Sequence, residues 1–322
     1  MSRAAPSRGP DHSTKGNTVS ETSERPSTSE KPSALSRRNV IATAGVLGTA
    51  AVGSAMVASP ASATSGNVLN RKTPGARILA LIGDRYHNLD YIRTHLNKFF
   101  GDANLKFDYT ANWEWFTTKK DTAAMLDGYK LFLVFRDGII IPDGYIGPDA
   151  YPNITGYMSG QPAGAQTTWV TEGFGQAVKA FTEGGGSLFV AHNAAHISLK
   201  STNFRDVAKG AYDGHPYERP FKVNIINRRH AVTQGVESFM VTDEQHFPIY
   251  DGGSTLLAEG LNVDGLPFTT DSKRTPSTSA VTWAHSFGRG KVVHHTIGHN
   301  LDALWKPGNL AVWKNTVNWL LH

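Results

Sequence analysis

The chain has 322 residues, and its 32 Lys and Arg side chains stand against 27 Asp and Glu, which gives a net charge of +5. Apolar residues make up 39% of the chain and charged residues 18%, which is typical of a globular protein with a sizeable core. There is no cysteine, which excludes disulfides, thiolate metal ligands, a cysteine nucleophile and a lipid anchor carried on cysteine.

The first 63 residues have the order of an export signal. Residues 1–35 are rich in Ser, Thr, Pro and Glu and too poor in large apolar side chains to fold, so we predict a disordered leader. Arg37 and Arg38 precede an uncharged Ala/Gly-rich run, which resembles a twin-arginine (Tat) signal, although Val40 replaces the preferred Phe. Residues 61–63 have the A-x-A form of a cleavage site.

We therefore predict export to the cell envelope or the extracellular space, with cleavage leaving residues 64–322 as a single domain. A retained membrane anchor is the alternative, because the apolar run is about long enough to span a bilayer. Residues 1–63 hold seven basic and four acidic side chains, so three of the five positive charges lie there. No later basic run interleaves with aromatic residues, and we expect no nucleic-acid partner.

Short apolar runs alternate with helical periodicity in the first half of the domain. Runs at 78–82, 105–109, 131–135 and 187–191 predict buried parallel strands, and helices are predicted at 89–100, at 112–126 and from Thr171 to the glycines 184–186. Residues 136–168 are rich in Gly, Pro and Tyr and show no period, which indicates a candidate lid loop. This order predicts an α/β fold with a doubly wound, mostly parallel sheet.

The second half changes to strands joined by short turns. Strands are predicted at 221–226, 238–241, 255–258, 281–286 and 291–297, with a hairpin turn at 287–290 and a final helix from Pro307. These would add antiparallel strands to the sheet in the C-terminal half.

Histidines follow three of the predicted strands. His87, His192 and His299 each come at or just after a strand end. Because ligands of open α/β sheets bind outside the carboxyl ends of the strands, the three rings could converge on one cleft. They could equally be unrelated surface or core histidines.

Two further patterns point to metal or acid–base chemistry. His192 and His196 are four residues apart, so on a helix both would face one way and, with His299, could bind a metal such as zinc. In an extended segment Glu244 and His246 share one face while Asp243 points away, and a Glu–His pair can act as acid or base. A solvated charge pair is the alternative.

The predicted catalytic residues are thus His87, His192, Glu244 and His299. Predicted substrate-binding residues lie beside them or in turns and loops, and they are Asp84, Tyr86, Asn193, His215, Asp243, His246, Trp169 and Trp305. The two tryptophans flank loops and could stack on a sugar ring or pack in the core.

An ordered set of motifs across residues 77–321 resembles the ThuA-like (trehalose-utilisation) family. The motifs are 185–192 (GGSLFVAH), 214–216 (GHP), 230–235 (HAVTQG), Asp243-Glu244, 281–285 (VTWAH), 288–292 (GRGKV) and 298–300 (GHN). The resemblance implies a fold like that of class I glutamine amidotransferases and a role in disaccharide catabolism, often beside enzymes that make 3-keto sugars. It implies a site of His87, His192, His215, Glu244 and His299.

In the amidotransferases a cysteine occupies the elbow after a strand, which falls here near His192-Asn193, so thiol chemistry is excluded. We expect an exported enzyme that acts on a disaccharide, a glycoside or its 3-keto derivative by hydrolysis, elimination or isomerisation. The alternatives are a non-catalytic carbohydrate-binding protein of the cell envelope and a metal-dependent hydrolase. The expected partner is a small carbohydrate.

Overall fold

The structure is a computed structural model, and it describes residues 66–67, 72–140, 167–265 and 276–322. The predicted leader and Tat-type signal lie outside the described residues, as do residues 141–166 of the candidate lid loop. Among the described residues, no helix is both long enough and apolar enough to cross a bilayer.

Fourteen strands lie in the described residues. In chain order they are β1 (Gly66–Asn67), β2 (Ile78–Ile82), β3 (Phe107–Thr110), β4 (Leu131–Phe135), β5 (Ile139–Ile140), β6 (Thr167–Thr168), β7 (Ser187–Ala191), β8 (Gly210–Ala211), β9 (Arg219–Ile225), β10 (Phe239–Asp243), β11 (Ile249–Tyr250), β12 (Thr255–Leu261), β13 (Thr278–Phe287) and β14 (Gly290–His295).

The described helices alternate with these strands in the first half and close the chain. They are α1 (Leu89–Asp102), α2 (Lys119–Leu126), α3 (Glu172–Glu183), α4 (Thr202–Ala208), α5 (Leu301–Leu304) and α6 (Pro307–Leu321), with 3₁₀ helices at Trp113–Phe116 and His192–Leu199.

Ten strands form one sheet in the order β1-β3-β2-β4-β7-β14-β13-β12-β9-β10. Pairing is parallel from β1 to β14 and antiparallel from β14 to β10. The predicted fold class, an α/β sheet with antiparallel strands added in the C-terminal half, is confirmed. The ends of the candidate lid loop meet in a separate ladder, because β5 pairs with β6.

Both faces of the parallel strands are covered. Every residue of β2, β4 and β7 is buried, as continuous apolar runs predict. Alternate residues of these strands belong to two separate cores, one with side chains of α1 and α6 and the other with side chains of α2, α3 and α4. The sheet is therefore doubly wound.

The predicted helix at 112–126 is two elements. The side chain of Asn112 accepts a hydrogen bond from the Glu114 amide and begins a 3₁₀ turn. The Thr118 side chain then accepts a hydrogen bond from the Asp121 amide and caps α2. The single predicted helix is therefore a 3₁₀ helix followed by a separate α-helix. The predicted cap of α3 at Thr171 is confirmed, with a hydrogen bond from the Phe174 amide.

One core histidine makes the stability depend on pH. His95 on α1 is fully buried beside Phe99 and Trp313, and neither ring nitrogen has a hydrogen-bond partner in the described part of the chain. Burial lowers the pKa of His95 to about 3. Below about pH 6.5 the unfolded chain binds a proton on His95 that the folded chain does not bind. The free energy of unfolding is therefore highest above that pH and falls as the pH drops towards 3.

We therefore expect His95→Leu to stabilise the fold more at pH 5 than at pH 8, by about 2 kcal/mol. The leucine places no titratable or unsatisfied group in the core. Urea unfolding of both proteins at the two pH values measures the difference, and equal effects at both would contradict the expectation.

Candidate functional site

Four segments meet at the carboxyl edge of the parallel strands. His87 follows β2, His192 follows β7, His299 follows β14, and Glu244 directly follows β10. Their ligand-type atoms lie within 4.8 Å of one another. The structure thus brings together all four residues that the sequence predicted as catalytic.

Asp84 joins the ends of β2, β4 and β7. One carboxylate oxygen accepts hydrogen bonds from the amides of Tyr86 and His87 and from His87 Nδ1, each at 2.9 Å. The other accepts from the Asp137 amide, which follows β4, and from the Asn193 side chain after β7. Burial raises the pKa of Asp84, but His87 and Arg136 outweigh it and hold the pKa well below its usual range. Asp84 is buried and positions its neighbours.

His192 occupies the elbow between β7 and the following 3₁₀ helix. Its φ is 50°, in the left-handed region that costs a residue with a Cβ about 1–2 kcal/mol. The ring is fully buried, and Nδ1 lies 2.6 Å from the carbonyl oxygen of Thr296. Since a carbonyl only accepts, Nδ1 carries the hydrogen and Nε2 carries the lone pair. A histidine thus occupies the sharp turn after β7.

Gly298 allows the β14 end to approach this elbow. A Cβ at position 298 would lie 2.8 Å from Phe135 Cζ and 3.0 Å from His192 Cβ. We expect Gly298→Ala to destabilise the fold by about 1–3 kcal/mol, because the methyl group must displace one of two buried rings. Urea unfolding measures the loss, and an unchanged free energy of unfolding would contradict this packing.

Glu244 Oε2 lies among four imidazole nitrogens. It is 3.2 Å from His299 Nδ1, 3.4 Å from His246 Nε2, 3.5 Å from His215 Nε2 and 3.6 Å from His192 Nε2. The rings of His192 and His246 stack with centroids 4.3 Å apart. One carboxylate oxygen therefore lies within 3.6 Å of imidazole rings from four separate segments.

The electrostatics of this cluster favour an ionised carboxylate among mostly neutral rings. Burial raises the pKa of Glu244, but the interactions with His192, His246 and His299 outweigh it and hold the pKa well below its usual range. Burial lowers the pKa of His192 to about 4 and that of His246 well below its ordinary value. Burial also lowers the pKa of His299, but Glu244 reverses this and the pKa is raised.

Asp243 points away from Glu244 into the protein. Its carboxylate is fully buried and accepts hydrogen bonds from the amides of Gly298 at 2.7 Å and His299 at 2.9 Å. Burial raises the pKa of Asp243 to about 7 against these hydrogen bonds. Asp243 therefore anchors the turn that carries His299 and does not line the cavity.

The cluster opens into a cavity of about 620 Å³, within the range of small-molecule sites. The lining residues are Arg85, Tyr86, His87, Asp137, Ile139, Asn193, His196, Tyr212, His215, Glu244, His246 and His299. Five predicted site residues, Asp84, His192, Asp243, Trp169 and Trp305, are not among them.

The two tryptophans lie elsewhere for different reasons. Trp169 is buried, contacts Phe174 edge-on and donates its indole hydrogen to the Asp137 carbonyl, 2.8 Å away. Trp305 is partly buried against the hydrophobic core. Loop-flanking positions in the sequence did not distinguish a sugar platform from core packing.

Four cavity residues were not predicted, and they are Arg85, Asp137, Ile139 and Tyr212. Asp137 comes two residues after β4, so the rule of strand ends could have found it, but the apparent loop at 136–168 concealed it. Burial and the nearby Asp84 raise the pKa of Asp137 well above its ordinary value. Tyr212 follows the two-residue strand β8, which has no signal in the sequence, and burial raises the pKa of Tyr212 to about 12.

Two groups in the described residues have the composition of a metal site. They are His87, His192, Glu244 and His299, and His215, Glu244 and His246. His196, which was predicted with His192 and His299, belongs to neither group. The segment after β7 is a 3₁₀ helix, in which residues four apart point about 120° apart rather than the about 40° of an α-helix. The His196 ring packs near Tyr212 instead.

A family model described as ThuA, trehalose utilisation, matches residues 160–320, which is half of the chain. The chain belongs to the ThuA family. The matched range includes the ThuA motifs from 185 to 300 and therefore His192, His215, Glu244 and His299, whereas His87 precedes it.

Two solved structures described as ThuA-like proteins share the ThuA-family fold. The protein from Bacteroides uniformis is 15% identical with a TM-score of 0.52, and the match covers 78% of this chain and 94% of that one. The protein from Parabacteroides merdae is 12% identical with a TM-score of 0.51, covering 76% and 89%. At these identities the likeness establishes the fold alone. No curated protein matches the chain significantly.

Proposed function

We propose that this ThuA-family protein is an exported enzyme that acts on a disaccharide or glycoside, or on its 3-keto derivative, by acid–base chemistry. The observation that carries the proposal is the Glu244 carboxylate, which lies within 3.6 Å of four imidazole nitrogens at the wall of a cavity of about 620 Å³. Cavities of this size suit ligands as large as a disaccharide. The trehalose-utilisation description of the family supports a sugar as the ligand.

His215 is the best-placed base. Its Nδ1 lies 2.9 Å from the Pro216 carbonyl oxygen and therefore carries the ring hydrogen, which leaves the Nε2 lone pair on the side of Glu244. The ring is partly exposed and lines the cavity. When Nε2 takes a proton, the carboxylate of Glu244, 3.5 Å away, lies beside the new positive charge.

A 3-keto glycoside would suit such a base because its ketone acidifies the adjacent C2–H. His215 would remove the C2 proton, the C–H electron pair would form the C1–C2 double bond, and the glycosidic C1–O bond would break. The departing oxygen would receive the proton from the protonated ring. The step needs no oxidant, since the ketone is already present in the substrate.

The test is turnover by the purified protein of native disaccharides and their 3-keto derivatives, followed by mass spectrometry of the released sugar. We expect release from the 3-keto substrate, and a loss of about 100-fold or more in His215→Gln. His230→Gln is the matched control, because His230 packs against Trp319 outside the cavity. Binding without turnover would overturn the enzyme in favour of a carbohydrate-binding protein, and neither binding nor turnover would reject a sugar ligand.

Export is part of the same proposal and is supported by the order of residues 1–63. A reporter fused behind these residues should leave the cytoplasm. Lysines in place of both Arg37 and Arg38 should retain it, if the pathway recognises paired arginines. Equal export of the reporter with and without the two arginines would contradict a Tat-type signal.

A further inference from the structure

The groups around His87 and His192 leave two nitrogen lone pairs facing each other. His87 Nδ1 lies 2.9 Å from the Asp84 carboxylate, and His192 Nδ1 lies 2.6 Å from the Thr296 carbonyl oxygen. Both partners accept hydrogen bonds, so both rings carry their hydrogen on Nδ1. Their Nε2 atoms are nevertheless only 3.1 Å apart. Two lone pairs this close repel each other unless a proton or a metal ion lies between them.

The Asn193 amide does not change this assignment. Its nitrogen lies 2.7 Å from His87 Nδ1, but it also donates to the second oxygen of Asp84. A carboxylate is the stronger acceptor for both donors. The Asp84–His87 pair therefore has the arrangement in which a carboxylate fixes the tautomer and orientation of a metal-binding histidine, and the Thr296 carbonyl does the same for His192.

Two more potential ligand atoms lie beside these nitrogens. Glu244 Oε2 is 3.6 Å from His192 Nε2 and 3.2 Å from His299 Nδ1. His299 Nδ1 is buried and has no hydrogen-bond partner among the described residues. One carboxylate oxygen and three imidazole nitrogens thus surround one small space.

The spacing of these atoms fits a metal ion. Ligand atoms about 2.1 Å from a tetrahedral zinc ion lie about 3.4 Å from one another. Three separations in the cluster, 3.1, 3.2 and 3.6 Å, are close to that edge, and all the ligand atoms lie within 4.8 Å of one another. Imidazole nitrogens with one carboxylate suit zinc and its neighbours in the first transition series better than magnesium or calcium.

We propose that His87 Nε2, His192 Nε2, His299 Nδ1 and Glu244 Oε2 bind one divalent transition-metal ion of the zinc type. The ion would lie at the wall of the cavity. Metal binding itself is independent of the proposed function, and only a role of the ion in sugar turnover rests on that function. Glu244 is then a ligand, and His215 remains outside the set as the base. The other candidate group shares Glu244, but no described residue gives His246 Nδ1 a carboxylate or carbonyl partner that would fix its ring.

The experiment measures metal content apart from activity. The full-length protein is stripped with a chelator, reloaded with Zn²⁺ or with Co²⁺ as a visible probe, and analysed by elemental analysis, titration calorimetry and absorption spectroscopy. We expect one equivalent of metal and Co²⁺ bands of a site with four or five ligands. His87→Gln and His192→Gln should each weaken binding by about 100-fold or more.

Two histidine variants serve as matched controls. His196→Gln removes a cavity imidazole that belongs to neither candidate group and should keep the full metal content. His215→Gln should keep the metal although it loses sugar turnover. Thermal unfolding of each metal-free variant shows whether it folds.

Three results would overturn the inference: wild-type protein that binds neither Zn²⁺ nor Co²⁺, binding that survives both His87→Gln and His192→Gln, or an equal loss in His196→Gln. Sugar turnover by rigorously metal-free protein would also reject a catalytic ion but leave the proposed function standing. Metal binding by these four residues without action on any sugar would reject only the proposed function.

Discussion

Glu244→Gln is expected to lower kcat/KM on the responsive sugar by about 100-fold or more while the protein stays folded. Glutamine keeps the shape of the side chain but removes the charge that four rings face at 3.2–3.6 Å. The charge is needed to stabilise a protonated His215, and the oxygen is needed as a ligand if a metal binds. Initial rates over a range of substrate concentrations, together with urea unfolding, measure the two effects.

The fold should tolerate this change because the neighbouring acid has the structural role. Asp243, not Glu244, accepts the hydrogen bonds from the Gly298 and His299 amides. Glu237→Gln is a suitable control, because Glu237 is an exposed glutamate paired with Arg228. Equal activity of Glu244→Gln and the wild-type protein would remove Glu244 from the chemistry, whereas a large loss of stability would assign it a structural role.

Site residues that directly follow a predicted parallel strand could be located from the sequence, because the carboxyl ends of such strands lie at one edge of the sheet. Buried apolar runs predict β2 and β7 as parallel strands, so His87, His192 and His299, each after a strand, could be expected at one edge of the sheet, and the structure places them there. The same rule applied to β4 gives Asp137. It was missed because residues 136–168 have no periodicity to mark where the strand ends and the loop begins.

Other features depend on backbone geometry that the residue types do not specify. His192 has a left-handed φ, a conformation that a sequence pattern associates with glycine and not with histidine. The turn after it is 3₁₀ rather than α-helical, and this difference of pitch separates His196 from His192. Side-chain orientation at an irregular turn is therefore less predictable than the location of the turn.

The role of Asp84 shows the same limit. Its position after β2 predicted a substrate-binding residue, but its side chain is buried and contacts protein. Five donors surround its two oxygens: the amides of Tyr86, His87 and Asp137, the Nδ1 hydrogen of His87, and the side-chain amide of Asn193. All five are donors, so a carboxylate satisfies them and an amide, which has one acceptor oxygen and one donor nitrogen, cannot.

Asp84→Asn is therefore expected to destabilise the fold by about 3–5 kcal/mol, since it brings donors face to face and removes the negative charge close to the buried Arg136. His87 would also lose the acceptor that fixes its tautomer, so any metal affinity should fall with it. Asp90→Asn is the matched control: Asp90 pairs with Arg93 at the exposed start of α1, where such pairs contribute at most about 1 kcal/mol. Urea unfolding of both variants compares them, and equal stabilities would show that the three strand ends do not depend on Asp84.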